Sequence, residues 1–109
     1  MTFDEMFAAA REKMAQADAG GISEHLAYQF NITGDAAGTF YLEVKDGAVN
    51  VEPYEYHDRD AAFTCSADTL FRMAEGKLDP VAAVLRGKLK VEGNIDKALK
   101  LKGLIGGKG

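Results

Sequence analysis

Apolar residues recur at helical spacing near the start of the chain and then switch to strict alternation. Phe3, Met6, Phe7, Ala10 and Met14 lie on one stripe, with Arg11, Glu12 and Lys13 off it, which predicts an amphipathic helix over residues 3–17. Thr2 and Glu5 form a capping box at its start. Leu26, Tyr28, Phe30 and Ile32 then alternate with Ala27, Gln29, Asn31 and Thr33, and Phe40, Leu42 and Val44 alternate with Thr39, Tyr41, Glu43 and Lys45. Both runs predict strands with one apolar face. Asp46-Gly47 is a two-residue hairpin turn leading into a return strand through Val49 and Val51, which Pro53 ends. Residues 54–60 (YEYHDRD) are a polar connection, and Ala61–Cys65 reads as a short fourth strand.

The remaining stretch has a different rhythm. Ser66 is an N-cap, and Gly76 stands where a helix stops in a left-handed cap. Asp79-Pro80 restarts a helix, because proline at the first helical position forfeits no hydrogen bond. Gly87 ends it. Leu89 and Val91 alternate with Lys88, Lys90 and Glu92 as a fifth strand, and Gly93-Asn94 turns into a last helix that Asn94 caps. The order predicts an α+β layer pair: a five-stranded, mainly antiparallel sheet with one face covered by about four to five helices. The apolar sheet face needs that cover, whereas the mixed face can meet water.

The middle helix of this stretch is about two turns long, yet Val81, Ala82, Val84 and Leu85 cover more than one of its faces. It is therefore either buried on several sides or lines a cavity. Leu70, Phe71, Met73 and Ala74 before it, and Ile95, Ala98, Leu99, Leu101 and Leu104 after it, are also apolar. Periodicity alone does not separate a filled core from a hollow one.

Taken in order, Gly76-Lys77-Leu78-Asp79-Pro80, Gly87-Lys88-Leu89-Lys90-Val91, Gly93-Asn94 and Ala98-Leu99-Lys100-Leu101 resemble the sterol carrier protein 2 family, also called the SCP-2 sterol-transfer domain. The rest of the chain fits that family's layout, so the resemblance covers residues 1–109 as a single SCP2-like domain. It implies a sterol, fatty acid or fatty acyl-CoA held in an apolar tunnel between sheet and helices. On this resemblance the ligand-lining residues are Leu70, Met73, Val81, Val84, Leu85, Ile95, Leu99 and Leu104, and the inward alternation of the sheet adds Phe30 and Leu42. Many relatives carry two aromatics where this chain has Val84-Leu85, and the resemblance then implies that the smaller side chains here either widen the cavity or alter the choice of ligand.

Totals and charge narrow the function. The 109 residues suit one domain. The net charge of −4 divides unevenly, with 13 acids and 4 bases in residues 1–71 but 4 acids and 9 bases in residues 72–109. An acidic domain argues against nucleic acid as a partner, while Lys88, Lys90, Lys97, Lys100 and Lys102 are positioned to meet an anionic membrane surface. No apolar run approaches the ~20 residues that span a bilayer. Met1–Glu5 carries acids rather than the basic start of a secretory leader, and Gly107-Lys108-Gly109 is not a peroxisomal address, so a cytoplasmic location is expected.

Catalytic machinery is not legible. His57 stands among Glu55, Asp58 and Asp60 in a loop with no apolar flank, which reads as solvated rather than as a metal site or base. Cys65 reads as a buried thiol, and being single it forms no intramolecular disulfide. No nucleotide-binding loop or serine elbow occurs. The expectation is a lipid-binding or lipid-transfer protein without an enzymatic activity, cofactor or metal. The second reading is an accessory module that presents a lipid to a partner enzyme, as a homodimer through a strand edge or its helices.

Overall fold

The computed structural model describes residues 1–15 and 22–104, with side chains described through Leu101. Helix α1 (Phe3–Ala15) is followed by strands β1 (Leu26–Thr33), β2 (Gly38–Lys45), β3 (Ala48–Glu52) and β4 (Ala61–Ser66). Helices α2 (Ala67–Ala74) and α3 (Pro80–Leu85), strand β5 (Lys90–Gly93) and helix α4 (Ile95–Leu104) complete the chain. The expected extension of the first helix to residue 17 lies outside the described residues. The fold is the α+β pair that the patterning predicts, with four helices among the described residues.

The strands form one sheet in the order β3-β2-β1-β4-β5. Every pairing is antiparallel except β1 with β4, which run parallel from Tyr28 beside Ala61 to Thr33 beside Ser66. Alternation decides the faces. Val51, Leu42, Tyr28 and Ala61 form one apolar row across the sheet, and Phe40, Phe30, Phe63 and Val91 form the next. Phe40 stacks on Phe30 at 4.9 Å, and Phe30 on Phe63 at 5.3 Å between ring centroids. On the other face, Gln29 and Ala27 are buried under the 54–60 connection, where Gln29 Oε1 accepts from Tyr56 N at 3.1 Å.

The local signals act as read. Thr2 and Glu5 bond reciprocally, Ser66 accepts from Thr69 N, and Asn94 Oδ1 accepts from Lys97 N at 3.0 Å. Asp46 and Gly47 both sit at positive φ (53° and 78°), the hairpin geometry that matches strand twist. Helices α2 and α3 end in the same way. Gly76 N donates to Met73 O and Lys77 N to Arg72 O; Gly87 N donates to Val84 O and Lys88 N to Ala83 O. Each is a Schellman closure that satisfies the last carbonyls and reverses the chain. Between the two closures α3 is set by Asp79, which caps it through Val81 N and Ala82 N.

The interior is not filled evenly. Over β1, β2 and β3, Met6, Ala10 and Met14 of α1 pack with Leu42, Val44 and Leu70 into a core that excludes solvent. Over β4 and β5 the cover is α3 and α4, and in α3 only Ala83 is buried.

Candidate functional site

The gap between α3 and α4 is an open groove of about 270 Å³. Phe63 of β4 is in its floor, flanked by Leu89 and Val91. Pro80, Val81, Val84 and Leu85 make the α3 wall, and Ile95, Ala98 and Leu99 the α4 wall. Every one of these side chains is hydrocarbon, so among the described residues none offers a ligand a hydrogen bond from its side chain, and such walls hold no ordered water well. Val81, Val84, Leu85, Ile95 and Leu99 are among the large hydrophobic residues exposed on this protein, and all five converge here. Leu85 is 82% exposed. Apolar surface gathered in one concavity, rather than scattered singly, marks a binding surface.

The groove forms because of what α3 is. Six residues starting at a proline cannot present a long buried stripe, and of them only Ala83 is buried. The other wall is held from behind. Tyr28 Oη donates to the carbonyl of Lys97 at 2.5 Å, and Lys97 Nζ stands 3.1 Å from Asp60 Oδ1. Burial, with Asp60 nearby, raises the Tyr28 hydroxyl well above its ordinary range, so it stays a donor.

Among the residues expected to line a ligand, Val81, Val84, Leu85, Ile95 and Leu99 come together on this wall. Phe30 and Met73 border a smaller void behind it. Leu42 and Leu70 are fully buried and are not on the groove wall. The side chain of Leu104 lies outside the described residues. Phe63, Pro80, Leu89, Val91 and Ala98 were not singled out by the sequence reading, although Phe63 shares its inward register with Phe30 and Val91. The expected tunnel is, in the described residues, a groove open to solvent.

The polar candidates stand apart from it. His57 is exposed on its loop. Cys65 is buried, and desolvation pushes its thiol up to about 12, which suppresses the thiolate a nucleophile needs. His25, Glu43 and Tyr56 form a cluster on the opposite face of the sheet: Glu43 Oε2 lies 2.7 Å from His25 Nε2 and accepts from Tyr56 Oη at 2.8 Å. The sequence reading missed this cluster, whose members lie 13 to 31 residues apart. Of the lysines expected to meet a membrane, Lys97 pairs with Asp60 and Lys100 with Glu24, while Lys88 and Lys90 are exposed. The side chain of Lys102 lies outside the described residues. Among the described residues no group of three or more His, Cys, Asp or Glu is disposed to hold a metal, and no helix is long and apolar enough to cross a membrane.

Known proteins resemble this chain in sequence and in fold. Hydroxysteroid dehydrogenase-like protein 2 of Bos taurus is 38% identical over 79 residues, which are 72% of this chain and 19% of that protein. This chain therefore spans about a fifth of the length of that relative. Sterol carrier protein 2 of Arabidopsis thaliana is 34% identical over 79 residues, covering 69% of this chain and 64% of that protein. The solution structure of sterol carrier protein 2 from Aedes aegypti, in complex with palmitate, has the same fold: TM-score 0.63 at 21% identity, covering 94% of this chain and 92% of that one. The SCP-2 sterol transfer family matches residues 3–106, and the chain belongs to that family.

Proposed function

We propose that this protein binds one lipid molecule reversibly by its aliphatic part, in the groove between α3 and α4, and carries it without chemical change. The observation that supports this most is the convergence of five exposed aliphatic side chains on one concavity with hydrocarbon walls. An acyl chain leaving water gains about 0.8 kcal/mol per CH₂, so affinity needs no polar contact inside. The palmitate held by the Aedes aegypti relative supports the same ligand class. With no donor or acceptor side chain on the groove wall among the described residues, the polar end of the lipid stays at the mouth.

Loading and release take place at the exposed lip. Leu85 is followed by Arg86 and, past the chain reversal at Gly87, by Lys88, all exposed. An aliphatic side chain flanked by two bases suits transient contact with an anionic bilayer. The test is native mass spectrometry of the purified protein, together with displacement of a fluorescent fatty acid. Co-purifying lipid and saturable displacement are expected. A bare mass with no uptake of any fatty acid or sterol sinks the proposal.

A second reading, presentation of the lipid to an enzyme, is favoured by the relative in which the matched stretch is 19% of a dehydrogenase-like protein. It differs in one measurable respect. Transfer between vesicles would then be slow without the partner, whereas a free carrier exchanges lipid between donor and acceptor vesicles unaided.

A further inference from the structure

Behind the groove lies a second void of about 20 Å³. Phe63, Pro80, Leu89 and Ala98 border both spaces, so they form a thin partition between them. Met73 and Leu101 close the far side of the void, with Phe30 beneath. Phe63, Leu89, Met73 and Leu101 are each at most 5% exposed, in contrast to the open lip. The void is large enough for about one water, but hydrocarbon walls give that water no partners, so it stays dry. Side chains around a dry void lack dispersion contacts on one side and can move into it at little cost.

The partition is stiffer than what stands behind it. Phe63 is held in an aromatic column with Phe30 and Phe40. Pro80 is fixed in φ at the start of α3. Met73, an unbranched thioether with three rotatable bonds, is the side chain that yields.

We propose that the partition, backed by Met73, is the stop that sets which aliphatic length this protein holds. The inference rests on the reading of the groove as a lipid site. A chain entering from the lip runs between α3 and α4 until its terminal methyl meets Phe63, Leu89 and Ala98. At about 270 Å³ the groove lies just under the usual range of ligand sites, so carbons beyond the stop remain at the mouth and gain no burial. The ligand class is thus a lipid with a short or medium aliphatic segment, or a longer one bound only by its end.

Displacement of a fluorescent fatty acid by saturated fatty acids from hexanoate to palmitate tests this. Wild-type affinity is expected to rise about fourfold per added methylene and then level off at one length. Met73→Ala removes three heavy atoms from behind the partition and moves the levelling point to longer chains by about three carbons. Ala98→Leu fills the partition from α4 and moves the point to shorter chains. A levelling point unchanged in both variants, each shown to be folded by circular dichroism, overturns the stop. So does a wild-type affinity that climbs without a break to palmitate. If no fatty acid of any length binds the wild type, the lipid-site reading itself fails and the stop falls with it. Should Met73→Ala not fold, the shift in Ala98→Leu decides alone.

Discussion

Asp60 receives Lys97 on one carboxylate oxygen and the buried amide of Ala27 on the other. Lys97 Nζ is 3.1 Å from Oδ1, and Ala27 N donates to Oδ2 at 2.8 Å. The backbone of the same residue donates to Ala27 O at 2.7 Å and accepts from Asn94 N at 2.8 Å. One position therefore ties β1, the start of β4 and the first turn of α4 together. Asp60→Ala leaves the Ala27 amide without its side-chain acceptor and Lys97 without its partner, and is expected to cost about 2–3 kcal/mol. Asp60→Asn keeps an acceptor and loses the charge pair, costing about 1 kcal/mol. Urea denaturation midpoints separate the two, and equal losses would contradict this account.

The turn beside Asp60 admits only glycine. Gly93 has φ of +99°, and a Cβ there would stand 2.7 Å from the carbonyl oxygen of Asp60 and 3.0 Å from Cα of Ala61. Neither neighbour can give way, because both are main chain. Gly93→Ala is predicted to lose stability by about 3 kcal/mol, from the disfavoured φ together with the clash. Gly87, at φ +74°, faces open space, so Gly87→Ala should cost only about 1 kcal/mol of conformational energy. Differential scanning calorimetry of the two variants gives the comparison. Ligand affinity should fall in the first, since α4 starts from this turn.

Leu85 separates binding from folding. It is exposed in the unliganded protein, so Leu85→Asp should leave stability within about 0.5 kcal/mol of the parent. The same change removes an aliphatic wall and sets a charge at the lip, and fatty-acid affinity is expected to drop about tenfold, the equivalent of about 1.4 kcal/mol. Unchanged affinity would mean that the lip takes no part in binding.

The cluster on the far face predicts a two-sided pH dependence. The hydrogen bond from His25, aided by that from Tyr56, holds the Glu43 carboxyl below its ordinary value of 4.5 against the effect of burial. A depressed carboxyl contributes stability that is complete above that value and is lost as pH falls through the lowered one. Tyr56 is pushed from 10.0 up to about 12, chiefly by its hydrogen bond to Glu43. Its contribution is complete below pH 10 and disappears as pH rises through about 12. Denaturation midpoints should fall at both ends. Glu43→Gln should flatten both slopes, whereas Tyr56→Phe should remove the alkaline one and make the acid one shallower, leaving the share due to His25.

How far the chain could be read beforehand follows from which interactions are local. Ser66, Asp79 and Asn94 cap helices through bonds spanning two or three residues, so their roles were visible in the sequence. Alternation assigned Phe30 and Leu42 to the inner sheet face, but a face has no address along the sheet. It could not tell that Leu42 packs where α1 fills the interior and that Phe63 underlies the gap. The parallel pairing of β1 with β4 is likewise invisible, since period-two patterning is the same for either direction. The apolar surround of α3 was the one trace of the groove. It showed that the helix was not an ordinary amphipathic cover, and the open wall accounts for it.

The parallel pair also orders events as the chain is made. β1 has β2 beside it, with β3 on the far side of β2, within twenty residues of its own end, but its other edge waits for Ala61 and the strand that follows. Until those residues leave the ribosome, the central strand presents a bare row of amides and carbonyls, the kind of edge that recruits another strand. The β1–β2–β3 meander can therefore pair first, and the groove is built last, by the α3 and α4 segments that follow the strand shielding that edge.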